Sequence, residues 1–163
     1  MIQKFKSKGG FTLIESVATI ALMGIMAIAA APLLGNANNL MSLDSAGKKI
    51  EADIRYAQNM ATTTSETHGF RATSSTTYEV YKKVGAVTTI VDSPYNHNPM
   101  SIDLATDFDN VTFSAPTYPN YIIEFDKTGS PTTGGGVQVT VAIPSGETRK
   151  VTVTATSGNI SQQ

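Results

Sequence analysis

Residues 1–10 read MIQKFKSKGG, and residues 11–35 read FTLIESVATIALMGIMAIAAAPLLG. From position 11 to position 34 there are 24 residues and a single charge, Glu15. As a helix rising about 1.5 Å per residue, that run reaches about 36 Å, enough for a hydrocarbon core of about 30 Å. A helix packed on a soluble core would carry a polar face, and this stretch has almost none. Lys4, Lys6 and Lys8 precede it. The positive-inside rule therefore keeps 1–10 in the cytoplasm and sends the remainder of the chain across the membrane.

Three fates fit such a segment. It is an uncleaved signal anchor, or a secretory signal cut after Ala27-Ile28-Ala29, or a segment cut between Gly10 and Phe11. The secretory reading meets an apolar stretch longer than the usual run of about 7–15 residues, with a carboxylate inside it. The third reading alone accounts for Gly10, Phe11 and Glu15 together. A carboxylate within a membrane helix costs about 2.5–3.5 kcal/mol on insertion scales, so its presence points to a task. Cleavage before Phe11 creates a positive amine one helical turn from Glu15. In a bundle of such helices, the carboxylate of one subunit neutralises the amine of its neighbour. Low dielectric makes that pair strong and an unpaired partner costly. The helix N-terminus also favours the carboxylate.

Gly9-Gly10-Phe11-Thr12-Leu13-Ile14-Glu15-Ser16 resembles the prepilin peptidase signature of type IV pilins and type II secretion pseudopilins. The resemblance implies cleavage after Gly10 by a prepilin peptidase and methylation of the Phe11 amine. It further implies storage in the inner membrane, contact with an inner-membrane assembly platform, and assembly with other pilin or pseudopilin subunits. Pro32 stands where pilin helices commonly carry a helix-breaking proline. The expected organisation is a leader at 1–10, a transmembrane helix at 11–35, an amphipathic continuation at 36–64, and a β-rich periplasmic domain at 65–163.

Beyond Gly35, apolar or small residues recur at Leu40, Leu43, Gly47, Ile50, Ile54, Ala57 and Ala61. This alternation of three and four is a helical stripe. Asp44, Lys48, Lys49, Glu51, Asp53 and Arg55 lie between them and read as a solvated face. The stripe packs on the protein's own sheet, and its membrane-proximal half is free to meet other subunits. Thr62-Thr63-Thr64-Ser65 reads as the helix end. The period then changes from 3.6 to 2, with strands expected at 69–73, 77–83, 87–91, 111–114, 121–125, 137–143 and 150–156. Pro144-Ser145-Gly146-Glu147 reads as the turn of a hairpin. Residues 92–99 read as an irregular loop and 132–136 as a flexible glycine loop. The fold class is α+β: one long N-terminal helix, half membrane and half packed, with an antiparallel sheet wrapped on its C-terminal half.

Ile123-Glu124-Phe125-Asp126-Lys127-Thr128-Gly129-Ser130, a glycine-rich segment, two strands and Ser157-Gly158 resemble the C-terminal pattern of the GspH/FimT minor pseudopilins and pilins. Arg55, in Ile-Arg-Tyr-Ala-Gln, is similar to a helix segment of that family. The resemblance implies a minor subunit at initiation or at the tip. Some members bind DNA through arginines after the C-terminal glycine; residues 158–163 hold none.

Charge agrees with that absence. The formal net charge is −1, and without the three leader lysines nine basic residues face thirteen acidic ones. Such a chain is a poor match for phosphate backbones, which disfavours a nucleic-acid partner. Lys82-Lys83 and Arg149-Lys150 read as solvated pairs. The chain has no Cys, which removes disulfides, thiol catalysis and Cys-based zinc sites. The two histidines, His68 and His97, read as exposed loop residues with no triad or ligand spacing. The triple glycine at 134–136 lacks the Gly-Lys-Ser/Thr of a phosphate loop. Asp103, Asp107, Asp109 and Asn110 offer oxygens for calcium but lack the glycine and terminal glutamate of an EF-hand. No enzyme, cofactor or metal is expected. The expected role is that of a minor pilin or pseudopilin in a type II secretion pseudopilus or a type IV pilus. The alternatives are a DNA- or surface-binding minor pilin, or a major pilin.

Overall fold

Helix α1 runs from Leu13 to Thr64 without interruption. The computed structural model describes residues 11–114 and 121–163, with the side chains of 30–36 left out, so Gly10 and the expected leader lie outside the described residues. α1 is helical through Pro32, where a break was expected. Proline removes one hydrogen bond and strains the preceding turn. The alanines at 27 and 29–31, the best helix formers, oppose that loss. At the other end, the Thr62 and Thr63 hydroxyls both donate to the Asn59 carbonyl at 2.8 Å, and the Thr64 hydroxyl to Met60 at 2.7 Å. These threonines compete for the helix's own acceptors, and Ser65 leaves the helix at φ 57°.

The chain divides into two compact units, residues 1–38 and 39–163. In the first, the apolar side chains of α1 face outward all round. Phe11 is 77% and Ile28 78% exposed, with Leu13, Ile14, Ile20, Met23, Ile25 and Met26 similarly open. Among the described residues no helix is long and apolar enough to cross a membrane, the described side chains of this run ending at residue 29.

The second unit packs one stripe of α1 against two antiparallel sheets. Among the described residues the first sheet has six strands: β1 (Thr67–Ala72), β2 (Thr77–Val84), β3 (Val87–Ile90), β4 (Ser101–Asp103), β6 (Ile122–Phe125) and β7 (Pro131–Thr133). Its order is β3-β2-β1-β6-β7, with β4 also on β2. The second has the order β10-β9-β8-β5, from β5 (Thr112–Phe113), β8 (Gln138–Ala142), β9 (Thr148–Val153) and β10 (Ile160–Gln162). The single sheet expected from the sequence is thus two. One turn of helix, α2 (Leu104–Asp107), follows β4. Strands β4, β7 and β10 were not anticipated; three residues each carry too little alternation to be read.

Leu43, Ala46, Ile50, Ile54, Ala57 and Ala61 are fully buried on the α1 stripe. They meet Phe70, Val80, Ile123 and Phe125 of the first sheet and Val139, Val141, Val151 and Val153 of the second in one hydrophobic cluster. Each fully buried Leu, Ile, Val or Phe contributes about 1.5–3 kcal/mol. Rings bridge the sheets, from Phe70 to Tyr78 (4.9 Å), Phe113 (6.2 Å) and Tyr121 (5.4 Å) in turn. The Tyr121 hydroxyl also accepts from the Thr140 amide at 3.0 Å, tying it to β8.

Three expectations are corrected. Asp53 lies not on a solvated face but buried, 4% exposed, beneath Tyr78. His68 lies not in an exposed loop but in β1, 1% exposed, its Nδ1 3.2 Å from the Glu66 carbonyl. The 132–136 segment opens with β7 and is bonded onward, Gly136 donating to Val153 at 2.8 Å and Val137 to Gly134 at 3.1 Å. Asp53 meets Tyr78 of β2, His68 lies between Lys82 of β2 and Phe125 of β6 in the sheet, and Gly136 meets Val153 of β9, neighbours that the local sequence does not announce.

Candidate functional site

Thr12 is the cap of α1. Its carbonyl accepts from the Glu15 and Ser16 amides at 3.1 and 3.2 Å, and its hydroxyl accepts from Glu15 N–H at 3.3 Å. Thr12-Leu13-Ile14-Glu15 has the spacing of a capping box, a signal present in the sequence itself. In a complete box, the glutamate would return to the Thr12 amide. Here only the threonine half is made, and among the described residues the Glu15 carboxylate has no partner. An acidic group in the first turn of a helix is favoured by the helix dipole. Phe11 adjoins this turn, exposed. The end of α1 thus presents one unpaired carboxylate on an apolar cylinder. Such a surface is chemically suited to apolar surroundings that supply a matching positive charge.

A second cluster forms in the 39–163 unit, where the residues of the C-terminal pattern meet the helix. Gln58 Nε2 donates to the Gly129 carbonyl at 2.8 Å and to the Gly158 carbonyl at 3.2 Å. Arg55 Nη2 donates to the Ile160 carbonyl at 2.5 Å and to Glu51 Oε1 at 2.8 Å. Gly158 has φ 63°, and a Cβ there would stand 2.7 Å from Gln58 Nε2 and 3.0 Å from the Gly129 carbonyl. Asp126 folds the intervening turn by accepting from the Thr128 hydroxyl and the Thr128 and Ser130 amides. Those donors hold its carboxyl below the ordinary range. Segments that lie 71 to 105 residues along the chain from α1 are therefore locked on one helical turn. Gln58 carries no signal of this role in the sequence; an exposed-looking helical Gln gives no sign of distant carbonyls.

On the outer face of the first sheet, Glu124 accepts from the Tyr81 hydroxyl at 2.8 Å and from Lys83 Nζ at 2.8 and 2.9 Å. Burial works to raise its carboxyl, but Lys83, Tyr81 and Thr133 outweigh it and hold it below its ordinary value. Burial and the Glu124 carboxylate push the Tyr81 phenol up. Under the sheet, Asp53 accepts from Tyr78 at 2.6 Å and from Lys49 at 2.5 and 2.6 Å. Burial first, then the Asp53 charge, raises the Tyr78 phenol well above its ordinary value.

These contacts bear on the remaining candidates. Lys82 pairs with Glu66 at 3.1 Å, Lys83 with Glu124, and Arg149 with Asp44 at 3.7 Å, so those cations do not form a track. Asp103 caps α2 through the Ala105 amide, and Asp109 accepts from the Ser42 hydroxyl at 2.8 Å. Among the described residues no three His, Asp or Glu gather as metal ligands. His97 is exposed, at φ 57°. Gly10 lies outside the described residues, as does the Pro32 side chain.

A protein-family profile described as the prokaryotic N-terminal methylation motif matches residues 5–31. No curated protein matches the chain by sequence. Among solved structures, the chain is similar to the type IV minor pilin FimU of Pseudomonas aeruginosa (strain PAO1) in two crystal forms. The P65 form has a TM-score of 0.53 at 14% identity, over 74% of this chain and 92% of that one. The P21 form gives 0.52 at 14% identity, over 74% and 87%. At that identity the likeness speaks for the fold: a long N-terminal helix followed by antiparallel sheet. The chain thus carries a prokaryotic N-terminal methylation motif at one end, followed by a fold similar to that of a type IV minor pilin.

Proposed function

We propose that this chain is a minor pilin or pseudopilin that enters a type IV pilus or a type II secretion pseudopilus, at its initiation or its tip. A prepilin peptidase cuts between Gly10 and Phe11 and the Phe11 amine is methylated. Residues 11–35 then hold the subunit in the inner membrane until the assembly platform draws it into the filament. There the Glu15 carboxylate pairs with the Phe11 amine of a neighbour and sets the register. The observation that carries this reading is the unpaired Glu15 carboxylate on an exposed apolar helix, within a methylation motif. The minor-pilin part draws support from FimU, itself a minor pilin, and from the convergence of the C-terminal pattern on Arg55 and Gln58. The role is structural rather than catalytic.

The test is the intact mass and N-terminal sequence of the protein recovered from host membranes. A chain starting at methylated Phe11 is expected; a start at Met1 or Ala30 overturns the processing. Glu15→Ala is expected to leave the subunit in the membrane but out of sheared filaments. Undiminished incorporation of that variant would sink the pairing.

A further inference from the structure

Residues 92–99 form a closed loop. Asp92 bridges Pro99, Ser93 N–H donates to the Asn98 carbonyl at 2.8 Å, and His97 N–H donates to the Ser93 carbonyl at 3.0 Å. Side chains complete it: Ser93 Oγ accepts from the Tyr95 backbone amide at 3.3 Å, and Asn96 Oδ1 from the Asn98 backbone amide at 3.1 Å. Pro94 and Pro99 restrict its φ angles further. This well-bonded loop nevertheless holds Tyr95 94% exposed, out of contact with the core. Burying a tyrosine would stabilise the fold, and leaving one standing in water does not. The loop borders a cavity of about 440 Å³, within the range of small-molecule sites.

The chemistry of that cavity is mixed and close to neutral. Met100 and Ile102 supply an apolar wall, and Asn96, Asn98 and Asp107 supply polar groups. Among the described residues, the Asn98 side-chain amide, Asn96 Nδ2 and the Asp107 carboxylate make no hydrogen bond or ion pair within the protein. Lys49 also reaches the cavity, but its ammonium is held by both oxygens of Asp53. The Asp107 carboxylate opposes an anion, and the Lys49 ammonium, 40% exposed even in its pair with Asp53, opposes a cation. A ligand with many hydroxyls and an apolar ring face meets neither objection. Its hydroxyls would donate to Asp107 and accept from the two side-chain amides, and its C–H face would lie on Tyr95.

We propose that this groove is a binding site for a neutral saccharide. It belongs wholly to the 39–163 unit and does not depend on how the subunit assembles. The test is a glycan array of neutral mono- to tetrasaccharides, with sialylated and sulfated glycans beside them, probed with the full chain in detergent micelles. Retention of at least one neutral glycan is expected. Tyr95→Ala and Asp107→Asn should each weaken it by about tenfold or more, while Ser145→Ala, in the distant hairpin, leaves it unchanged. Thermal melting identical to that of the parent chain would show that the variants are folded, as the exposure of Tyr95 and Asp107 leads one to expect. No retention of neutral glycans, retention of charged ones alone, or retention indifferent to Tyr95→Ala overturns the site.

Discussion

Gln58 lies three positions beyond Arg55, and its single amide nitrogen satisfies two backbone carbonyls from separate loops. Removing the donor leaves both acceptors short of a partner in a half-buried place. Gln58→Ala is therefore expected to destabilise the fold by about 1–3 kcal/mol, read from the urea midpoint of the folded chain. Glu124 makes the complementary case for charge. Its folded carboxyl is held below the ordinary value of 4.5, so folding favours the ionised form. The stability it contributes is fully present above that value and drains away as pH falls through the lower folded one. Urea midpoints measured from pH about 7 down to about 3 should show a shallower acid decline for Glu124→Gln than for the parent chain. An equal decline would remove Glu124 from the acid response. Neither role is written near the residue in sequence. Glu124 was visible only as part of a family-like stretch, because its partners Tyr81 and Lys83 sit some forty positions away on β2.

At the scale of elements, the glycine-rich turn between β7 and β8 shows why a flexible-looking segment is rigid. Gly134 has φ 71°, and a Cβ added to it would collide with the Ile122 carbonyl of the neighbouring strand. Gly146, in the β8–β9 hairpin, has φ 100° but open space around it. Both substitutions to Ala carry the backbone cost of about 1 kcal/mol, but only Gly134→Ala must also move a strand. Its unfolding midpoint should fall well below that of Gly146→Ala; equal losses would show that the close approach is unimportant. The hairpin, with its Val alternation, and α1, with its stripe, were both legible, because each pattern repeats several times over. Strands β4, β7 and β10 were not, since three residues pair only because a longer strand lies alongside.

At the scale of the molecule, the buried cluster runs from Leu43 to Ile160 and, among the described residues, includes none before position 43. Residues 39–163 alone are therefore expected to unfold cooperatively in urea, with the far-UV spectrum of an α+β domain. A non-cooperative transition would mean that the first unit is needed for the fold. The sequence by itself determined the split between an apolar, nearly uncharged helical run and a domain of alternating strands. It also determined the Gly10-Phe11-Glu15 constellation, because local composition, periodicity and short spacing need no distant partner to be read. Only the tertiary structure decided that the strands form two sheets, that Asp53 and His68 are buried, and that Gln58 joins two loops. It alone set Tyr95 at the edge of a groove. Those outcomes depend on which residues far apart in the chain come within about 3 Å of one another, a relation that hydrogen bonding and close packing settle after folding.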